Sequence, residues 1–298
     1  MPRRLLAIDW GSSALRGALL DAEGGVLEER SAARGLLTIE PGGFPAVFEA
    51  HFGDWLRAPD VRCLMAGMVG SRQGWVEAPY CACPAGLDEL AAHLAGVPAA
   101  AGDIAIVPGV SCERGGVPDV MRGEEIKVFG ALELLGLESA EILMPGTHSK
   151  WASVAGGRIQ RFATAMSGEL YALLRRQSIL ARTLPDADDG FDADAFDRGL
   201  DRAFGGEGLL QTAFSVRTLA LFERLPASAG PSYLSGLVIG EELRARPLAG
   251  VEEVVVIGAE PLAEGFERAL RRLGRRVVRL GEEAAWRGLH AVQQRRDA

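Results

Sequence analysis

The chain has 298 residues, of which 48% are hydrophobic and 24% are charged, and its formal net charge is −8. This size and composition predict one large or two ordinary globular domains with ample material for a core. The negative charge argues against a nucleic-acid-binding surface. No apolar run reaches membrane-spanning length and no leader peptide precedes the first strand, so we expect a soluble, cytoplasmic protein.

Cysteine and lysine are two informative residue types in this chain. The four cysteines show neither a CxxC pair nor the spacing of a zinc site, which indicates reduced thiols. Lysine occurs only at Lys127 and Lys150, whereas arginine supplies the other 30 of the 32 basic residues. Because a compact ammonium and a planar guanidinium are not interchangeable at a phosphate, both lysines are of interest.

The first predicted element is a strand with a carboxylate at its end. The apolar run over residues 5–8 is typical of a buried strand, and it stops at Asp9, beside the Gly11-Ser12-Ser13 turn. Residues 14–20 and 26–30 predict two further strands of a meander. Backbone amides of such a turn can hold phosphate oxygens while the acid holds a cation, although an acid that only caps a turn gives the same pattern.

The rest of the chain alternates between strands and helices. Helical spacing predicts helices over residues 44–56, 88–94, 124–135, 167–179 (with Ser167 as N-cap), 209–225, 232–243 and 282–293, and another that opens near Pro261. Apolar runs predict strands over residues 61–68, 104–107, 254–257 and 277–280. The acidic stretch over residues 185–201 lacks calcium-loop spacing and is interpreted as a solvated loop and helix start.

A second meander repeats the first. Residues 141–162 hold a strand, a turn at Gly146 and Thr147, a returning strand, a Gly-Gly turn and a third strand. Gly11 and Gly146 lie 135 residues apart, which is one domain length. The repeat predicts two α/β domains, over residues 1–140 and 141–298, whose turns hold phosphates from both sides.

Other polar groups lie beside these turns. His148 and Lys150 follow the second turn, but a turn histidine and an exposed strand lysine are the alternative interpretations. Gly258 and Ala259 end a strand and carry almost no side chain, so they can admit a base or a ribose closely.

Several of these stretches resemble one known family. Residues 8–13, 145–151 and 257–259 are similar to the phosphate-1, phosphate-2 and adenosine motifs of the acetate and sugar kinase, actin and chaperone ATPase superfamily. Residues 66–75, 121–125 and 165–170, together with the Gly146 turn, resemble the 2-dehydro-3-deoxygalactonokinase family over nearly the full length. The resemblance implies two ribonuclease-H-like (actin/hexokinase-like) domains with a central cleft that closes over its ligands.

The resemblance also implies a reaction and roles for the residues. The family phosphorylates 2-dehydro-3-deoxy-D-galactonate on its 6-hydroxyl group with ATP and Mg²⁺, in galactonate breakdown. Asp9 is expected to hold Mg²⁺. Residues of the two turns and of the adenosine motif are expected to bind ATP, namely Gly11, Ser12, Ser13, Gly146, Thr147, His148, Ser149, Lys150, Gly258 and Ala259.

The catalytic base and the substrate site are less defined. Related kinases place an acid before the helix that precedes the second phosphate motif, where this chain has Asp119, Glu124 and Glu125. We favour Glu124, although acids in the first turn of a helix also suit its dipole. The substrate carboxylate calls for a planar arginine, which predicts Arg72 or Arg122, with Ser71 and Trp75 nearby.

Several alternatives remain at this stage. A kinase for another sugar or sugar acid, or an ATP-binding regulator of the same fold, gives a similar pattern. The sequence does not separate galactonate from gluconate derivatives, and it is compatible with a homodimer.

Overall fold

Residues 3–98, 103–187, 190–246 and 248–298 are described by the computed structural model. Within them the strands are β1 (Arg4–Trp10), β2 (Leu15–Leu20), β3 (Val26–Ala32), β4 (Val61–Gly67), β5 (Tyr80–Ala82), β6 (Ala95–Gly96), β7 (Ile104–Ile106), β8 (Gly109–Arg114), β9 (Val117–Met121), β10 (Ala140–Met144), β11 (Ser149–Ala155), β12 (Arg158–Ala165), β13 (Glu253–Ile257) and β14 (Arg276–Leu280). The helices are α1 (Phe44–Leu56), α2 (Leu87–Ala92), α3 (Glu124–Leu135), α4 (Ser167–Gln177), α5 (Ala193–Phe204), α6 (Leu209–Thr212), α7 (Ser215–Leu221), α8 (Gly230–Ala245), α9 (Leu262–Arg272) and α10 (Glu283–Asp297).

Two of the sheets share a strand order. The first runs β3-β2-β1-β4-β7-β6, and the second runs β12-β11-β10-β13-β14. In the first, β1 pairs with β2 in antiparallel fashion and with β4 in parallel fashion, so the ends of β1 and β4 lie side by side, with Asp9 next to Ala66. Both predicted meanders and the α/β class are therefore confirmed.

A third sheet, β5-β8-β9, was not predicted. Strand β5 has only three residues, and such a short strand carries no periodicity. The hairpin between β8 and β9 turns at Gly115 and Gly116, which both adopt positive φ angles. That Gly-Gly pair was the available sequence signal.

The chain divides into two compact units that do not follow the linear division at residue 140. One unit comprises residues 1–142, 151–163 and 280–298, and the other comprises residues 143–150 and 164–279. The last helix belongs to the first unit because α10 packs closely on α3. A Cβ atom on Gly130 would lie 1.7 Å from the carbonyl oxygen of Ala284, and one on Gly288 would lie 2.0 Å from that of Ile126.

Each unit has its own core. In the first, aromatic side chains of α1 pack on the sheet, and Trp10 contacts Phe44 edge to face with ring centroids 5.1 Å apart. In the second, α5 and α8 cross closely, since a Cβ atom on Gly199 would lie 2.2 Å from the carbonyl oxygen of Tyr233. These cores make β1 and α8 rigid supports for the groups near them.

Some local predictions were wrong. Residues 209–225 form two helices, α6 and α7, rather than one. Ser167 is the first residue of α4, whose N-cap is Met166, so it is not the cap. In the acidic stretch, Asp192 caps α5 through the amide of Ala195, whereas Asp188 and Asp189 lie outside the described residues. No helix of the described residues has the length and apolar character needed to cross a membrane.

Candidate active site

The first turn is fixed through its carbonyl groups. The amides of residues 35–37 donate to the carbonyl oxygens of Ser13, Gly11 and Ser12 at 3.0–3.2 Å. Gly35 allows this contact, because a Cβ atom there would lie 2.4 Å from the backbone of Ser12. Ser12 and Ser13 are exposed, and neither amide donates to another described residue. The turn therefore offers two fixed N–H groups to an anion.

Asp9 lies at the end of β1 in a space lined by glycine. A Cβ atom on Gly67 would lie 3.4 Å from Asp9 Oδ1, and one on Gly123 would lie 4.0 Å from it. Both glycines have positive φ angles, 97° and 106°, which other residues rarely adopt. Burial raises the pKa of Asp9 above its ordinary value, although Lys127 and Arg16 oppose the shift. An added cation at this carboxylate would favour its charged form.

A small charge network adjoins Asp9. Lys127 Nζ lies 3.8 Å from Asp9 Oδ2 and 3.5 Å from Glu282 Oε2. Arg16 forms an ion pair with Glu282 as well. Burial alone would raise the pKa of Glu282, but Lys127 and Arg16 outweigh it and hold that pKa below its usual range. Lys127 was not among the predicted site residues, although the scarcity of lysine pointed to it.

The start of α3 carries the predicted acids. Glu124 is half-buried and accepts a hydrogen bond from the amide of Arg122 at 2.9 Å. Glu125 is fully buried, and both of its oxygens accept from the amide of Gly123 at 2.8 Å. Burial, reinforced by the neighbouring Glu124, raises the pKa of Glu125 to about 8. Asp119 lies on β9 and accepts from the amide of Val120 at 2.8 Å.

Arg122 is held in place by a carbonyl group and an aromatic ring. Its Nη2 donates to the carbonyl oxygen of Ala78 at 2.8 Å, and its guanidinium carbon lies 4.2 Å from the centroid of the Tyr80 ring. Among the described residues, its buried Nε and Nη1 atoms have no hydrogen-bond partner, and neither does the buried hydroxyl of Ser71. The third sheet thus presents an oriented but unneutralised guanidinium. Nothing in the sequence pattern indicated Tyr80.

The other two predicted substrate residues are placed differently. The side chain of Arg72 is 89% exposed and pairs with Glu77 at 3.2 Å. Trp75 packs against the core, with ring centroids 5.5 Å from Phe48 and 6.5 Å from Trp10. Ser71 and Arg122 are therefore half-buried polar residues, whereas Arg72 lies at the surface.

The second turn is fixed by the start of α4. The amide of Glu169 donates to the carbonyl oxygen of Thr147 at 2.9 Å, and His148 Nε2 lies 2.6 Å from Glu169 Oε2. Gly168 permits the contact, because a Cβ atom there would lie 2.3 Å from the carbonyl oxygen of Gly146. Ser149 and Lys150 are buried, and Lys150 Nζ donates to Thr164 Oγ1 at 2.7 Å.

A cavity of about 500 Å³ adjoins this turn in the second unit. Its lining is mainly apolar or glycine, and it comprises Gly146, Thr147, Ser167, Gly168, Tyr171, Gly190, Phe191, Pro231, Ser232, Ser235, Val238, Ile239, Pro261, Leu262 and Gly265. Gly258 and Ala259 are absent from this lining. A Cβ atom on Gly258 would instead lie 3.4 Å from Pro145. Tyr171 and Phe191 were missed because no local motif marks them.

The architecture first defines the fold class to which the protein belongs. A glucokinase of the ROK family from Streptomyces griseus, solved with glucose and AMPPNP, superposes with a TM-score of 0.51 at 14% identity and covers 99% of this chain and 100% of its own. At that identity the likeness shows the fold alone. It agrees with the repeated strand order, and the protein has the two-domain, actin-like fold of sugar kinases.

The family follows from closer relatives. A model of the 2-keto-3-deoxy-galactonokinase family matches residues 9–292. A probable 2-dehydro-3-deoxygalactonokinase of Rhizobium meliloti (strain 1021) is 36% identical over 96% of this chain and 95% of its own, and the 2-dehydro-3-deoxygalactonokinase of Escherichia coli (strain K12) is 33% identical over 98% of both. The crystal structure of a putative 2-dehydro-3-deoxygalactonokinase from Sinorhizobium meliloti has a TM-score of 0.90 at 35% identity over 98% of both chains. The chain belongs to the 2-keto-3-deoxy-galactonokinase family.

Proposed function

We propose that this protein transfers the terminal phosphoryl group of ATP, bound with Mg²⁺, to the 6-hydroxyl group of 2-dehydro-3-deoxy-D-galactonate. Membership of the family supports the reaction. Phosphoryl transfer asks a protein mainly to position groups and to neutralise charge, and the groups described above suit those tasks.

The observation that carries the proposal is the space around Asp9. A Cβ atom would lie 3.4 Å from Asp9 Oδ1 at Gly67 and 4.0 Å from it at Gly123, so the two glycines keep side chains away from this carboxylate. No cluster of three or more His, Cys, Asp or Glu able to hold a metal was found in the described part of the chain. A single acid suits Mg²⁺, which is usually bound by one or two carboxylates together with phosphates and water. Bound beside Asp9, the metal would neutralise phosphate charge.

The nucleotide is assigned to both turns and to the cavity of the second unit. The exposed amides of Ser12 and Ser13 provide donors for phosphate oxygens. The volume of about 500 Å³ is that of an ordinary ligand site, and its apolar lining with few polar groups suits a nucleoside. We keep Gly146, Thr147 and His148 as phosphate residues of the second turn, and we add Tyr171 and Phe191 as side chains that contact the base.

The sugar acid is assigned to Arg122 and Ser71. The half-buried guanidinium of Arg122 is oriented by Ala78 and Tyr80. Because it forms no ion pair with a described residue, it is suited to an external carboxylate. Arg72 and Trp75 remain predictions, and the exposure of Arg72 makes it the weaker arginine.

Glu124 is assigned as the group that accepts the proton of the 6-hydroxyl. Its partial exposure allows contact with a substrate, whereas Glu125 is buried and holds the amide of Gly123. A raised pKa keeps Glu125 protonated near neutral pH, which suits a structural acid at the helix start. We place the reaction in the cytoplasm, where ATP is available.

A coupled ADP-release assay over a panel of sugar acids tests the proposal. The panel should hold the 2-dehydro-3-deoxy derivatives of galactonate and gluconate, the parent aldonates and free sugars. We expect the highest kcat/KM for the galactonate derivative and a phosphorylated acid as product. ATP turnover that is independent of any sugar acid would refute a kinase. A preference for another acid would keep the kinase and change its substrate.

A further inference from the structure

Lys127 occupies a position that an isolated helix would not favour for a cation. It is the fourth residue of α3, close to the positive end of the helix dipole. It is also one of only two lysines beside 30 arginines. Its side chain is 20% exposed, so the ammonium is largely withdrawn from water. Neither the helix dipole nor solvation favours a lysine here, which leaves its neighbours as the cause.

Those neighbours are two carboxylates. Lys127 Nζ lies 3.8 Å from Asp9 Oδ2 and 3.5 Å from Glu282 Oε2. A direct charge-assisted hydrogen bond is shorter, about 2.8 Å. The ammonium therefore lies between the two acids and is bonded tightly to neither. Arg16 also pairs with Glu282, through the same Oε2 atom, which restrains that carboxylate.

Close helix packing holds this arrangement in place. Glu282 immediately precedes α10, and the contacts of Gly130 with Ala284 and of Gly288 with Ile126 bring the start of α10 against α3. Because side chains at Gly130 or Gly288 would collide with backbone, the distance between the two helices is fixed. The position of Lys127 relative to Glu282 is therefore set by helix packing rather than by a flexible surface pair.

We propose that Lys127 is a positioning residue that orients the Asp9 carboxylate for the magnesium–nucleotide complex, and that Glu282 sets the position of Lys127. This inference rests on the proposed function, in which Asp9 holds Mg²⁺. Partners that hold a metal-binding carboxylate are worth about 10–100-fold in metal affinity. The ammonium acts through Asp9, so its loss affects binding of nucleotide with metal and leaves binding of nucleotide alone unchanged.

Calorimetric titration with AMPPNP, with and without Mg²⁺, tests this on the full chain. In the wild type we expect Mg²⁺ to tighten AMPPNP binding. In Lys127→Met this enhancement should fall by about 10–100-fold, with metal-free AMPPNP affinity unchanged. Lys127→Arg, which keeps the charge but not the compact ammonium, should lose less. Arg62→Met is the matched control, because Arg62 is also 20% exposed and also pairs with two acids, Asp103 and Asp297.

Three results separate the inference from the proposed function. Equal weakening of AMPPNP binding with and without Mg²⁺ in Lys127→Met would mean that Lys127 contacts phosphate itself, and an unchanged enhancement would mean that it has no role; either overturns the inference. An unchanged enhancement in Asp9→Asn would instead overturn the metal role of Asp9 in the proposed function. The melting temperature of each ligand-free variant checks folding. If Lys127→Met does not fold, Glu282→Gln decides, with a several-fold loss of the enhancement expected and no loss contradicting the inference.

Discussion

The two meanders share a strand order but differ at the end of their first strand. When the glycines of the turns are matched, Asp9 in the first unit corresponds to Met144 in the second, and Ser12 corresponds to Thr147. The first turn adjoins a buried carboxylate with a lysine 3.8 Å away. Met144 is a buried apolar residue, and the second turn adjoins a largely apolar cavity.

This difference indicates a division of work within one repeated architecture. In the proposed function both turns bind phosphate, and the groups that adjoin each turn differ. The carboxylate suits a metal and phosphate charge, whereas the apolar cavity suits a nucleoside. The turns are fixed in a similar way, because each needs a glycine in close backbone contact, Gly35 for the first and Gly168 for the second.

Asp9→Asn tests the carboxylate beside the first turn and should have the largest effect on activity. The metal's contribution to charge stabilisation is worth several kcal/mol, so kcat should fall by about 10³-fold or more. Steady-state kinetics across a range of Mg²⁺ concentrations measure this. Asp54→Asn, at an exposed acid paired with Arg30, is the control and should keep its activity. If kcat of Asp9→Asn stays within tenfold of the wild type, Asp9 does not hold an essential metal, and the proposed difference between the two turns is wrong.

Glu124→Gln tests the base of the first unit. General base catalysis contributes about 10²–10⁴-fold, so kcat should fall within that range while calorimetric ATP affinity is kept. Asp119→Asn is compared with it under the same conditions. If Asp119→Asn is inactive and Glu124→Gln is not, the assignment of the base is wrong.

Arg122→Met tests the residue that is proposed to bind the substrate carboxylate. A hydrogen bond to a charged group contributes about 1.5–3 kcal/mol, so KM for the sugar acid should rise by about 10–100-fold. KM for ATP should change little, because the nucleotide is assigned to other groups. Arg72→Met removes an exposed arginine from the loop that follows β4 and should change KM for the sugar acid much less. The reverse order of effects would exchange the two assignments.

Glu125→Gln tests the buried acid through the pH dependence of stability. The pKa of Glu125 is about 8 in the folded protein and about 4.5 in the unfolded chain. Between these values the folded state holds a proton that the unfolded chain has lost. The free energy of unfolding therefore falls as pH rises, by about 1.4 kcal/mol per pH unit. Urea unfolding from pH 5 to pH 8 should show a flatter profile in Glu125→Gln, whereas Glu133→Gln, an exposed position on α3, should keep the wild-type slope.

Much of the fold could be predicted because its signals are local. Helix α3 has the predicted bounds, since glycine precedes Glu124 and a left-handed Gly136 ends the helix. The two meanders follow from apolar runs and glycine turns. The pairing of Lys127 with Glu282 could not be predicted, because it joins residues 155 positions apart through the packing of α10 on α3. Composition marked Lys127 as unusual, but only the fold gave it a partner.

Gly35→Ala and Gly168→Ala compare the two turns directly, with the smallest expected effect. Each added Cβ atom would meet backbone, at 2.4 Å from Ser12 and at 2.3 Å from the carbonyl oxygen of Gly146, so each variant should lose about 1–3 kcal/mol of unfolding free energy. Gly96→Ala is the control, because a Cβ atom there meets nothing within 4 Å.

The Gly35→Ala and Gly168→Ala variants should also differ in how they bind AMPPNP. Gly35→Ala displaces the amides beside Asp9 and should weaken AMPPNP mainly when Mg²⁺ is present, whereas Gly168→Ala narrows the nucleoside cavity and should weaken it equally with and without the metal. Identical responses to Mg²⁺ would mean that the two turns do the same work despite the exchange of Asp9 for Met144.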